Sequence, residues 1–180
     1  MSNTYFQFKQ FTVHQEKSAM KVTTDSCLFG AWVASEIKSL ENENSRILDI
    51  GAGTGLLSLM TAQKSSSSID AIEIDEQAFL QAKENVDASP WHNRINIFHA
   101  DVLDHPVKEK YNYIISNPPF YENELSSGNK NKNIAHHDSG LKLSELLNVI
   151  EQHILPGGIF FLLLPYKRLR DFETLLGETK

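Results

Sequence analysis

A strand, a glycine-rich turn and a helix follow one another in the first half of the chain, and this succession most constrains the fold. Residues 46–50 (RILDI) form a short apolar run that is typical of a buried strand. The turn Gly51-Ala-Gly53-Thr-Gly55 comes next, and residues 56–60 have helical character. Glycines let a ligand approach the backbone, and a helix N-terminus offers free N–H groups. The sequence therefore predicts a cofactor-binding loop at the end of a buried strand.

The spacing of these glycines argues against a dinucleotide cofactor. The dinucleotide fingerprint G-x-G-x-x-G would need a glycine at position 56, where this chain has Leu56. We therefore expect a cofactor without a pyrophosphate.

Two acidic residues follow later strands and are candidates for binding the cofactor. Glu73 lies in a predicted strand over residues 69–74, about 20 residues after the glycine turn, which is the spacing of an acid that accepts from ribose hydroxyls. Alternatively, Glu73 and Asp75 only cap the following helix, a role that suits Asp75. Asp101 follows a third strand and can accept from an adenine amino group, or it is a solvated turn residue.

The run Asn117-Pro118-Pro119-Phe120 follows a fourth predicted strand. Two prolines remove two backbone donors and fix two φ angles, so the strand must end there in a stiff corner. The amide oxygen and an exposed carbonyl can accept hydrogen bonds from a planar amine, while the ring stacks on the attached π-system. The same four residues can also form an ordinary turn, so the interpretation as an amine-binding corner depends on the glycine loop upstream.

The remaining pattern alternates helices and strands, which predicts an α/β fold with right-handed βαβ units on a parallel sheet. The predicted helices cover residues 26–39, 56–64, 76–88 and 144–153, and the predicted strands cover residues 46–50, 69–74, 95–99, 111–116 and 159–164. An amphipathic segment follows at residues 169–176, and Gly157-Gly158 is a natural entry to the fifth strand. If the first and fourth strands flank the point where strand order reverses, the glycine loop and the Asn117 corner share one crevice.

Composition narrows the class of protein. A chain of 180 residues suits one domain, here residues 1–180, and without a membrane span or leader we expect it to be soluble and cytoplasmic. The single cysteine, Cys27, indicates a buried structural thiol, and His136-His137 lacks further ligands, so we expect no metal site. The net charge of −6 argues mildly against a broad nucleic-acid surface.

Residues 121–138 form either an adaptable substrate loop or a disordered segment.

These segments resemble the class I S-adenosylmethionine-dependent methyltransferases, specifically the amino-methyltransferases with an N-P-P-aromatic motif. The matching segments are residues 49–55 (DIGAGTG), 71–75 (AIEID), 100–101 (AD) and 117–120 (NPPF), in the family's order. The resemblance implies a Rossmann-like fold, S-adenosyl-L-methionine as cofactor, and a cofactor site made of Asp49, Gly51, Gly53, Gly55, Glu73, Ile74, Asp101, Val102 and Asn117. In that site Asp49 and the glycines hold the methionine end, Glu73 the ribose, Ile74 an adenine face, and Asp101 the adenine amino group.

The N-terminal segment, from Phe6 to Trp32, narrows the resemblance to the bacterial tRNA1(Val) (adenine-N6)-methyltransferases. This resemblance implies an adenine beside the anticodon as substrate, tRNA as partner of a monomer, and residues 1–25 as a cofactor lid and substrate segment before a catalytic core at residues 46–180. The family usually adds a helix and a final β-hairpin, so we expect a truncated core that lacks this hairpin. The candidate substrate residues are Lys21, Tyr121, Lys130, Lys132 and His136.

The expected reaction is in-line transfer of a methyl group to an exocyclic amine, with Asn117, the Pro118 carbonyl and Phe120 as the catalytic residues. Three alternatives stay open at this stage. They are N2-methylation of guanine in rRNA, N5-methylation of a protein glutamine, and a module that binds cofactor or RNA without catalysis.

Overall fold

The computed structural model describes residues 3–106, 108–119 and 141–178. Its elements, in chain order, are β1 (Tyr5–Gln7), β2 (Thr12–His14), α1 (Thr24–Leu40), β3 (Arg46–Ile50), α2 (Leu56–Lys64), β4 (Ser68–Glu73), α3 (Glu76–Asp87), β5 (Ile95–His99), β6 (Tyr111–Ser116), α4 (Leu143–His153), β7 (Ile154–Leu162), a 3₁₀ turn (Tyr166–Arg168) and α5 (Leu169–Glu178). Within these ranges, no helix is both long and apolar enough to cross a membrane.

Five strands form one parallel sheet in the order β5-β4-β3-β6-β7, which confirms the predicted α/β class. The strand order reverses between β3 and β6, so the predicted first and fourth core strands are neighbours. Their last residues, Ile50 and Ser116, pair directly. The glycine turn and the Asn117 corner therefore leave the sheet side by side.

Alternating side chains of the strands send apolar groups to both faces of this sheet. Ile47 and Ile69 belong to a core shared with α1 and α2. Leu48 and Ile72 belong to a second core shared with α4. Because both faces are covered, the central strands read as nearly continuous apolar runs, which is why their positions were predictable from sequence.

Most predicted boundaries agree with the structure, and two differ for identifiable reasons. α1 begins at Thr24, two residues before the predicted start, because Thr23 caps it in a reciprocal pair with Ser26. β7 begins at Ile154, so Gly157-Gly158 lies inside the strand and not at its entry. There Gly157 has a φ of 77° and the register against β6 shifts, so the glycines mark an irregularity within the strand.

The N-terminal hairpin of β1 and β2 was not predicted as strands. Phe11 and Val13 pack it into the core, and the buried amide of Asn85 hydrogen-bonds to its backbone. Asn85 of α3 accepts from the His14 N–H at 2.9 Å and donates to the His14 carbonyl at 2.8 Å. The same amide donates to the Thr54 carbonyl in the glycine turn at 2.9 Å. One side chain thus joins the N-terminal segment to the turn, although the lid role of residues 1–25 stays a prediction.

Glu41 ties the end of α1 to the connector before β4. Its carboxylate, with only 7% of the side chain exposed, accepts from the Ser65 and Ser67 hydroxyls, the Ser66 N–H and Lys38. Burial alone would raise the pKa of Glu41, but these hydrogen bonds outweigh it and lower the pKa to about 2. The ionised carboxylate therefore stabilises the fold above its unfolded pKa of 4.5, and this stability is lost as the pH falls through about 2.

We predict that Glu41→Gln lowers the free energy of unfolding at pH 7 by about 1–3 kcal/mol, because it removes charge-assisted hydrogen bonds. The difference from the parent should shrink between pH 5 and pH 2, where the parent carboxylate also becomes neutral. Urea unfolding across this range measures the difference, with Glu36→Gln, in α1 itself, as a control of small effect. A difference that does not change with pH would contradict this account.

Candidate functional site

The glycine turn is fastened to the neighbouring strand and opens at the carboxyl end of the sheet. The N–H groups of Gly51 and Ala52 both donate to the Ile72 carbonyl, at 2.9 and 3.0 Å. Gly51 and Gly53 have φ angles of 75° and 55°, a region that a residue with a side chain rarely adopts. Gly55, the N-cap of α2, makes no side-chain capping bond. A helix N-terminus of this kind presents backbone N–H groups that can bind an anionic group.

Asp49 lies fully buried beneath this turn. Its Oδ2 accepts from the Ser58 hydroxyl at 2.6 Å, whereas its Oδ1 is buried without a partner among the described residues. Burial raises its pKa to about 7; the hydrogen bonds from Ser58 oppose this rise, and the charge of Glu73 adds to it. A buried, unpartnered carboxylate oxygen is costly and suits a cationic partner.

Glu73 ends β4 with its carboxylate close to the glycine turn. Its Oε2 accepts from the Gly53 N–H at 2.7 Å and its Oε1 from the Asp75 N–H at 2.9 Å. Each carboxylate oxygen can accept a second hydrogen bond, so hydroxyl groups can still bind. Asp75 is the N-cap of α3 and accepts from the Ala78 N–H at 2.8 Å, which confirms the predicted capping role for Asp75.

Ile74, Asp101 and Val102 follow β4 and β5 at the same edge of the sheet. Ile74 leaves 60% of its surface exposed, and Val102 is buried. Asp101 accepts from the Leu103 N–H at 2.9 Å with its Oδ1, so it shapes its own turn, and it is half-buried. These residues provide one apolar surface and one acceptor beside Glu73.

The Asn117 corner is held to both neighbouring strands. The Ser116 hydroxyl donates to the Ile50 carbonyl at 2.8 Å, and the Leu163 N–H donates to the Ser116 carbonyl at 3.1 Å. Asn117 is half-buried and Pro118 buried, while Pro119 is exposed. Gly51 follows Ile50 at the end of β3, and Asn117 follows Ser116 at the end of β6. Because Ile50 and Ser116 are paired, the structure brings Asn117 and Pro118 together with Gly51.

Sequence reasoning missed two residues that position this site, namely Ser58 and Ser116. Ser58 was detectable as a polar residue on the otherwise apolar first turn of α2. Ser116, the last residue of a buried strand, gave no comparable signal.

Of the candidate substrate residues, Lys21 lies in the described ranges. The Lys21 ammonium donates to the carbonyl oxygens of Gln15 and Ser18, so it braces the N-terminal segment. Phe120 and the remaining substrate candidates lie outside the described residues; these are Tyr121, Lys130, Lys132 and His136. In the described part of the chain, no group of three or more His, Cys, Asp or Glu side chains could hold a metal ion.

Comparison with known proteins identifies the family. A family profile described as "Methyltransferase small domain" matches residues 33–156. A tRNA1(Val) (adenine(37)-N6)-methyltransferase from Dyadobacter fermentans is 51% identical over 91% of this chain and 66% of that protein. One from Parabacteroides distasonis is 43% identical over 99% of this chain and 73% of that protein.

The chain belongs to the tRNA1(Val) (adenine(37)-N6)-methyltransferase family. This confirms the family inferred from the motifs.

The fold agrees with this membership. An S-adenosylmethionine-dependent methyltransferase structure from Agrobacterium tumefaciens superposes with a TM-score of 0.71, at 14% identity, over 97% of this chain and 57% of that one. At this identity the likeness shows the fold alone, and it confirms the predicted Rossmann-like class of the family.

The raised pKa of Asp49 generates a prediction for the ligand-free protein. A carboxyl group whose pKa rises on folding favours the folded state below its unfolded pKa of 3.8, and this contribution is lost as the pH rises through about 7. The free energy of unfolding of the parent, minus that of Asp49→Asn, should therefore fall between pH 5 and pH 8 by on the order of 2 kcal/mol.

Urea unfolding at several pH values measures this difference. Asp87→Asn, on the exposed side of α3, is the matched control and should give a difference that stays flat. A flat difference for Asp49→Asn as well would mean that Asp49 ionises normally in the folded protein.

Proposed function

We propose that this chain transfers the methyl group of S-adenosyl-L-methionine to the N6 amine of an adenine in tRNA, the adenine beside the anticodon of tRNA1(Val). The observation that carries the proposal is the pairing of Ile50 with Ser116, which sets the glycine turn next to the Asn117 corner. One half of the crevice suits a methyl donor and the other half suits an acceptor amine.

The residues at the glycine turn fit the cofactor's separate groups. The unpartnered Oδ1 of Asp49 suits an ammonium group, and an ammonium there would favour the ionised form of the carboxyl. Glu73 offers acceptors for ribose hydroxyls, while Ile74 and Val102 offer apolar contacts and Asp101 an acceptor for the adenine ring. When bound, this cofactor supplies a methyl group already activated by a sulfonium charge.

The Asn117 corner positions the acceptor amine. The amide oxygen of Asn117 and the carbonyl oxygen of Pro118 accept hydrogen bonds from the two N–H groups of the amine. The nitrogen lone pair then faces the methyl group. These acceptors also stabilise the positive charge that develops on nitrogen during transfer. Because the corner is fixed by Ser116 and two prolines, the amine is aligned with little reorganisation. In the proposal, Phe120 stacks on the adenine.

The adenine must leave its stack before it can reach this corner, so the RNA binds with one nucleotide extruded. The net charge of −6 places the burden of phosphate binding on local cations near the crevice and not on the whole surface. The proposal includes a monomer that acts on the anticodon stem-loop in the cytoplasm, with Lys21, Tyr121, Lys130, Lys132 and His136 on the substrate side.

We predict that Asn117→Ala leaves cofactor affinity nearly unchanged and lowers kcat by about 100-fold or more, because the lost acceptor acts mainly in the transition state. Calorimetry with S-adenosyl-L-homocysteine and a methyl-transfer assay measure the two effects separately. Asn93→Ala, an exposed turn residue at the opposite edge of the sheet, is the control and should change neither. Parent-like turnover in Asn117→Ala would refute the assigned role.

The substrate is tested with purified protein, labelled S-adenosyl-L-methionine and unmodified tRNA1(Val) transcript. Digestion and mass spectrometry should give N6-methyladenosine, and a transcript with guanine in place of the adenine next to the anticodon should accept no label. Label that appears as N2-methylguanosine in rRNA, or in protein, would replace the tRNA proposal with one of the alternatives. Cofactor binding without transfer to any acceptor would favour a non-catalytic module.

A further inference from the structure

The 3₁₀ turn Tyr166–Arg168 lies at the same edge of the sheet as the Asn117 corner. It follows β7, whose neighbour in the sheet is β6, and parallel neighbours end at one edge. The hydrogen bond from the Leu163 N–H to the Ser116 carbonyl fixes the start of this connection. The turn is therefore placed by the same strand pairing that places Asn117.

A cavity connects the turn with the proline corner. Its lining includes Pro118 and Pro119 of the corner, Lys167 and Arg168 of the turn, and leucines such as Leu146 and Leu164. The lining of the cavity thus combines prolines and leucines with two cationic side chains.

Tyr166 stands out because it is 89% exposed, more than any other large hydrophobic or aromatic side chain among the described residues. A tyrosine ring in this position contributes almost no burial to the core of the described residues. An exposed ring beside two cations is the combination that binds single-stranded nucleic acid, because bases stack on the ring and phosphates bind the cations.

We infer that Tyr166 stacks on a nucleobase next to the extruded adenine, while Lys167 and Arg168 bind the phosphates of the same strand. This inference rests on the proposed function, since it concerns the RNA that the Asn117 corner serves. The carboxylate of Asp171 moderates the charge here, because its Oδ2 lies 3.4 Å from the Arg168 Nε. Stacking by Tyr166 therefore provides the main contribution, and the cations orient the strand.

The test measures the binding of unmodified tRNA1(Val) transcript by fluorescence anisotropy, and methyl transfer in the same preparations. Tyr166→Ala should weaken tRNA binding about tenfold, and Tyr166→Phe should restore it, because stacking needs the ring and not the hydroxyl. Lys167→Ala should reduce the slope of log affinity against log salt by about 1. Lys83→Ala, an exposed lysine on α3, is the control for charge and should leave the affinity unchanged.

Cofactor affinity, measured by calorimetry with S-adenosyl-L-homocysteine, should be the same in all four variants. If the parent methylates tRNA and Tyr166→Ala binds it equally well, the inference is wrong and the proposed function stands. If Tyr166→Ala lowers Tm without weakening tRNA binding, the ring has a structural role instead. If the parent neither binds nor methylates tRNA, the proposed function fails and this inference fails with it.

Discussion

The pairing of β3 with β6 is the constraint on which the rest of the site depends. Ile50 and Ser116 are the last paired residues, and the Ser116 hydroxyl bonds to the Ile50 carbonyl. Chain order alone separates Gly51 from Asn117 by more than a third of the sequence. The reversal of strand order at this one joint puts them side by side, which is the general location of ligands in open α/β sheets.

Near the β3–β6 pair, the buried carboxylate of Asp49 lowers the stability of the fold but suits a ligand. Asp49 is buried, one of its oxygens has no hydrogen-bond partner in the part of the chain that the structure describes, and its pKa is raised to about 7. Glu41, at the opposite end of the sheet, is surrounded by donors, and its pKa is lowered to about 2. Full burial and the charge of Glu73 raise the pKa of Asp49, and the hydrogen bonds from Ser58 offset this only in part, whereas the hydrogen bonds to Glu41 outweigh its burial. A satisfied carboxylate stabilises the structure, whereas an unsatisfied one suits a ligand.

The sequence predicted the central strands and most helices because buried parallel strands are continuous apolar runs between glycine, proline and polar residues. It also predicted the meeting of the glycine turn and Asn117, which depends only on strand order. It did not predict the β1–β2 hairpin, which is held by Asn85 from α3, nor the early start of β7 through Gly157. Both depend on contacts distant in sequence. For the same reason, the sequence did not identify Ser116 or Tyr166 as site residues. The burial of Ser116 and the exposure of Tyr166 are set only when the sheet has assembled.

The most direct test of the shared crevice uses a bisubstrate compound in which the N6 atom of adenosine is joined to the cofactor at the position of its methyl group. If donor and acceptor occupy one pocket at the β3–β6 joint, this compound should bind at least about 100-fold more tightly than S-adenosyl-L-homocysteine, because the second half binds without a separate loss of translational freedom. Calorimetry should also show that Asn117→Ala abolishes the gain while Lys83→Ala keeps it. A bisubstrate compound that binds no more tightly than S-adenosyl-L-homocysteine would contradict the account.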